Sequence, residues 1–186
     1  MREVYRAIAQ NKGYFIEGKF DQLQKSVPYA ALLQAFKSLL KQILAQPDEK
    51  VNEWRLKLLD SLGGNAQLIT AALPELELII GEQPLVEALP PHEARNRFAL
   101  TFQNFVKVFA EPAHPLVIFL DDLQWVDTGS LQLLEGLLTN DAEIALYLIG
   151  AYRDNETGPE HPLTISAQML EPVSYTHLTL PTIYSV

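Results

Sequence analysis

The sequence has no cysteine, which excludes disulfide frameworks and thiolate metal sites and fits a reducing compartment. Basic residues are scarce: 14 Lys and Arg stand against 23 Asp and Glu, a formal net charge of −9. That balance argues against a nucleic-acid partner held mainly by phosphate contacts. No apolar run approaches the ~20 residues needed to cross a bilayer, and Met1 to Lys12 holds no apolar leader-like core. The expectation is a soluble, cytoplasmic chain with no membrane span. Its 186 residues suffice for one domain with a sizeable core, or for part of a larger one.

What is present centres on Leu116 to Asp122, Leu-Val-Ile-Phe-Leu-Asp-Asp. Five consecutive apolar residues suit a strand buried on both faces of a parallel sheet, and two carboxylates fall where that strand ends. Ligands of open α/β sheets bind just outside the carboxyl ends of the strands, so chemistry is expected here. An apolar strand ending in Asp-Asp has the form of a Walker B element. There the first carboxylate helps hold Mg²⁺ on a nucleotide and the second polarises the attacking water. Asp also caps helices and favours turns, so the pattern by itself leaves a purely structural role open.

The rest of the chain supports an α/β architecture. Val4 and Ile8 fall at helical spacing up to Asn11-Lys12-Gly13, so that Met1 lies inside a helix, and residues 14–20 predict a short strand. Pro28 opens a helix carrying Leu32, Phe36, Leu39, Leu40 and Ile43, which Pro47-Asp48 ends. A second helix is predicted from Val51 to Leu62, closed by Gly63-Gly64. Ala66 to Ile80 is broken by Pro74 into two short pieces, and Gly81 to Pro91 is a surface connection. From His92 to Ala110 the aromatic stripe Phe98, Phe102, Phe105 and Phe109 predicts a helix with a core face. Asp127-Thr128 can cap a helix carrying Leu131, Leu134, Leu137 and Leu138, and Ile144 to Gly150 is a second fully apolar strand running into Arg153. Strand, helix, strand makes a βαβ unit whose carboxyl ends share one edge, so Asp121, Asp122 and Arg153 are expected to converge. From Thr164 the pattern weakens, and residues 173–186 resemble translated adaptor oligonucleotide, so a non-native tail is expected there.

Taken together, Gly13-Tyr-Phe-Ile-Glu-Gly-Lys-Phe-Asp-Gln22, Pro28-Tyr-Ala-Ala-Leu, Glu75-Leu-Glu-Leu-Ile-Ile-Gly81, Asn96-Arg-Phe98, His114 to Trp125 and Gly150-Ala-Tyr-Arg-Asp-Asn-Glu156 resemble one family. It is the AAA-like ATPase domain of large bacterial serine/threonine kinase and histidine kinase signalling proteins. That domain is an origin-recognition-complex-like, STAND-type P-loop NTPase. The resemblance runs over residues 1–172. It implies a partial three-layer α/β fold with a parallel sheet, a helical insertion at about 28–110, a Walker B strand at 116–122 and a sensor strand at 144–153. By position it implies Asp121 as the Mg²⁺-associated carboxylate and Asp122 as the residue that orients or activates water. Arg153 takes the place of the sensor that touches the γ-phosphate, a role for which a rigid, always-charged guanidinium is suited. ATP and Mg²⁺ are the implied cofactors, and kinase-like, GAF and histidine-kinase domains of the same chain the implied partners.

One departure matters more than any match. The phosphate loop G-x-x-x-x-G-K-[ST], which supplies an amide cradle, a lysine and a hydroxyl, does not occur in the sequence. Gly63-Gly64 is followed by Asn65, and Gly18-Lys19-Phe20 lacks the earlier glycine and sits on a predicted strand. The family's loop would fall a few residues before Met1, so a fragment unable to bind ATP alone is expected. Two other readings stay open. One is a non-catalytic helical interaction module with a vestigial Asp-Asp pair. The other is a metal-dependent hydrolase, for which no His cluster of suitable spacing is present. Arg153 can also be a surface ion-pair partner of Asp154 or Glu156.

Overall fold

The computed structural model describes residues 13–24, 27–139 and 144–170. The predicted N-terminal helix and the 173–186 tail lie outside the described residues. Three strands form one parallel sheet in the order β1 (Tyr14–Lys19), β2 (Leu116–Asp121), β3 (Leu146–Gly150). The register pairs Lys19 with Asp121 and Leu120 with Gly150, so all three strands end on one edge. The fold is therefore α/β with a parallel sheet, as the apolar run of β2 requires.

Helices α1 (Ala30–Leu44), α2 (Asp48–Leu62), α3 (Ala66–Ala72), α4 (Glu77–Ile80) and α5 (Pro91–Phe109) connect β1 to β2. On α1 the period of 3.6 puts Leu32, Phe36, Leu39, Leu40 and Ile43 on one buried face. Helix α2 begins three residues before the predicted Val51: Pro47 occupies the N-cap, and Asp48 and Glu49 sit in the first turn, where the helix dipole favours carboxylates. Asp48 thus opens the second helix instead of closing the first. The rings of Phe102, Phe105 and Phe109 on α5 meet Phe36, and Trp54 of α2 lies 5.3 Å from Phe109. Residues 81–90 carry no regular structure and are tied to α5 by a hydrogen bond from Arg97 Nη2 to the Glu87 carbonyl.

Gly18 sets the spacing between sheet and helix. A Cβ there would collide with the carbonyl group of Ala31, so glycine lets α1 lie directly against β1. Helix α6 (Thr128–Thr139) makes the β2 to β3 crossover. Asp127 is its cap, with Oδ1 accepting the Ser130 backbone N–H at 2.8 Å. A further helix, α7 (Pro162–Leu170), packs on α6 where the sequence offered little periodicity. Strand β3 departs from expectation: it is half-exposed, with Tyr147 61% accessible, whereas β2 is buried along most of its length. Its apolar run marks an edge strand of the described sheet. No described helix is long and apolar enough to cross a membrane.

Candidate functional site

Asp121 is the last residue of β2, and Asp122 follows it in the left-handed region at φ 53°, ψ 43°. Neighbouring residues of a strand project to opposite faces. The left-handed turn removes that alternation, a conformation Asp adopts more readily than most residues. Both carboxylates consequently reach one cation. Lys19 Nζ lies 3.3 Å from Asp121 Oδ2 and 3.0 Å from Asp122 Oδ2. The Asp122 N–H also donates to Asp121 Oδ1 at 3.0 Å.

Behind the carboxylates, the chain turns through a short 3-10 segment, Leu123–Trp125, whose Gln124 is buried. Its amide serves two residues. Gln124 Nε2 donates to Asp122 Oδ1 at 3.0 Å, and Gln124 Oε1 accepts the Arg153 backbone N–H at 3.2 Å. One buried side chain therefore joins the exit of β2 to the exit of β3. Gly150 permits the approach, because a Cβ there would collide with the Leu123 side chain. The Gln124 carbonyl lies 3.2 Å from His161 Nε2.

Arg153 shares its guanidinium. Nη1 donates to Glu156 at 3.1 Å, Nε lies 3.9 Å from Asp122 Oδ1, and the group stands 5.7 Å from the Trp125 ring centroid. The surface ion pair with Glu156 and the convergence on Asp122 thus coexist. Electrostatics follow the geometry. The hydrogen bond from Lys19 holds the Asp122 carboxyl below the usual carboxylate range, helped by the Gln124 amide and by the nearby charges of Lys19 and Arg153, while desolvation opposes the shift. Lys19 is pushed above the usual lysine range, first by its hydrogen bond to Asp122 and then by that to Asp121.

The donor set fits Mg²⁺ shared with a phosphate ligand. Its oxygens are hard, Asp121 is 40% exposed at the sheet edge, and Mg²⁺ needs only one or two carboxylates when phosphate and water complete its shell. Among the described residues no group of three His, Cys, Asp or Glu could hold a metal unaided. The phosphate cradle is a different matter, since no G-x-x-x-x-G-K-[ST] loop occurs in this sequence.

Asp121, Asp122 and Arg153 meet at one edge, as the βαβ reading requires. Lys19 is absent from that reading, because Gly18-Lys19-Phe20 forms no glycine loop, although the last residue of a parallel neighbour must share the edge with Asp121.

Comparison with known proteins agrees with this architecture. A relative in Dictyostelium discoideum, hybrid signal transduction histidine kinase G, is 41% identical over 133 residues, 72% of this chain. The matched region is 4% of that relative's length, so this chain spans only a small part of it. No solved structure matches the chain. The family model for the AAA ATPase domain matches residues 1–149, covering β1, β2 and nearly all of β3. A match across that length, and not the Asp-Asp pair alone, carries the assignment: the chain belongs to the AAA ATPase domain family.

Proposed function

We propose that this chain is part of an ATP-dependent regulatory domain within a multidomain signalling protein, with residues 1–172 forming the domain and residues 28–110 a helical insertion. In this reading the β2 element is a Walker B strand. Asp121 takes part in holding Mg²⁺, Asp122 orients the attacking water, and Arg153 engages the γ-phosphate. The observation that carries it is the convergence of Asp122 and Arg153 on the buried amide of Gln124. That amide fixes the water-orienting carboxylate relative to the strand that presents the phosphate-sensing guanidinium.

Mg²⁺, when bound, neutralises charge on phosphate oxygens. The chain's own groups supply orientation. Asp122 is ionised at neutral pH, as a proton acceptor for water must be. The histidine-kinase relative supports a place in signal transduction. The resemblance of the sequence motifs, and not that relative, is the ground for placing kinase-like, GAF and histidine-kinase modules in the same chain and the cytoplasm as its compartment.

By itself the 186-residue chain is expected to bind no ATP, because the phosphate loop contributes several charge-assisted hydrogen bonds worth about 1.5–3 kcal/mol each. The test uses a chain extended at its N-terminus to include G-x-x-x-x-G-K-[ST]. Mg²⁺-dependent ATP binding, measured by calorimetry, is expected there and is abolished by Asp121→Ala. Binding that survives Asp121→Ala, or that never arises in a folded extended chain, overturns the reading and favours a helical interaction module.

A further inference from the structure

Lys19 bridges the two carboxylates at the end of β2. Its ammonium contacts one oxygen of each carboxylate, Asp121 Oδ2 and Asp122 Oδ2, at 3.3 and 3.0 Å. The placement is built into the fold, because the parallel register opposes Lys19 to Asp121 and the Gly18 contact with Ala31 keeps β1 seated on α1. Two carboxylates on consecutive residues, both turned to one side, repel each other unless a cation stands between them. Lysine is suited to a replaceable version of that cation: it is a compact charge on a flexible stem, and here its side chain is 63% exposed. We propose that Lys19 is the resident counter-ion of the Asp121–Asp122 pair and that a divalent cation binds there only by displacing it. Lys19 therefore sets the cation concentration at which the site fills.

The inference rests on the metal role of Asp121 given above, and the two are separable by experiment. The full chain is titrated with Mn²⁺ at neutral pH and fixed ionic strength, free Mn²⁺ being read by electron paramagnetic resonance. Lys19→Met is expected to tighten Mn²⁺ binding by at least about fivefold, the gain when the metal no longer has to displace an ammonium whose attraction to a carboxylate in contact is worth about 1 kcal/mol even at the dielectric of water. The gain is absent in Lys19→Met with Asp121→Asn, and Lys19→Arg binds no more tightly than wild type. Mn²⁺ also raises the melting temperature of Lys19→Met more than that of wild type. Lys19→Gln repeats the measurement should the methionine variant fold poorly.

Equal Mn²⁺ affinity in folded wild type and Lys19→Met, with Asp121→Asn weakening both, overturns the counter-ion role and leaves the metal role of Asp121 standing. Affinity that ignores Asp121→Asn in every background overturns both, whereas no binding in any variant, Lys19→Met included, overturns the counter-ion role alone, because the metal role of Asp121 is one shared with a phosphate ligand.

Discussion

Phe36 and Asp122 are each held by several neighbours, but by forces of different character. Phe36 meets three rings of α5 with centroids 5.3, 5.3 and 6.4 Å away, and Phe36, Phe102, Phe105 and Phe109 are all fully buried. Asp122 is held by one amide and one ammonium, each at 3.0 Å. The burial that dominates the ring contacts is non-directional and summed over area, so the helical layer is redundant, and losing one ring costs stability without redirecting its neighbours. Polar contacts are directional and few. Losing one at the sheet edge changes where a carboxylate points before it changes whether the chain folds. Stability therefore resides mainly between α1, α2 and α5, and the proposed chemistry rests on five residues, Lys19, Asp121, Asp122, Gln124 and Arg153.

The largest effect expected from this contrast is Phe102→Ala. Removing a fully buried ring should cost about 3–5 kcal/mol in urea or thermal unfolding. The surviving folded protein should bind Mn²⁺ as wild type does. A melting temperature close to wild type would contradict the contrast at its strongest point.

Gly18→Ala tests the joint between the two regions. The added Cβ meets backbone, the Ala31 carbonyl, which cannot swing aside as a side-chain end can. A loss of about 1–3 kcal/mol is expected, the usual cost of overpacking. Lys19 should also move from its carboxylates, so that Mn²⁺ binding changes as well. Loss of stability with unaltered Mn²⁺ affinity would show that β1 does not transmit its position to Lys19.

Gln124→Leu should cost less, about 1–2 kcal/mol, since it leaves the Arg153 N–H without its acceptor while Asp122 keeps Lys19. In a chain that hydrolyses ATP, turnover should fall out of proportion to that loss. Arg153→Ala lies at the far end of the scale. Its guanidinium is mostly exposed, so stability should stay within about 0.5 kcal/mol, while γ-phosphate sensing and turnover fail. Unchanged turnover sinks the assignment.

What the sequence made legible follows the same division. Core elements were readable because burial leaves a period: Leu116 to Leu120 declares a strand, and the phenylalanines of α5 declare a helix face. Polar arrangements were readable only where a topology rule converts sequence into space. Asp122 and Arg153 were placed together by the βαβ rule, but Lys19 lies 102 residues from Asp121 and needed the β1–β2 register. Helix α7 escaped because its buried residue is Ser166, which bonds to Glu135, so no apolar stripe announces it. An apolar run also cannot distinguish the centre of a sheet from its edge, and the exposure of β3 was hidden for that reason.

The smallest expected effect probes the contrast most directly, because only charged groups respond to pH. The folded chain holds Asp122 below the ordinary carboxylate range, chiefly through the Lys19 hydrogen bond, so the unfolded chain takes up a proton first on acidification. The stability contributed is full above about pH 4 and is lost as pH falls through the lowered value. Lys19, raised chiefly by its hydrogen bond to Asp122, has the opposite sign. Its contribution is full below the ordinary lysine range, at about pH 10.4, and fades as pH climbs through the raised value. Lys19→Met returns Asp122 toward its ordinary value and removes the alkaline group, so both limbs of its stability curve should be shallower than those of wild type. Phe102→Ala should lower the curve without changing its shape, because no proton is linked to a ring contact. Urea unfolding across pH separates the cases: a Lys19→Met curve parallel to wild type would mean that the edge is not held by charge. In that event Asp122 would owe its orientation to Gln124 and the left-handed turn alone.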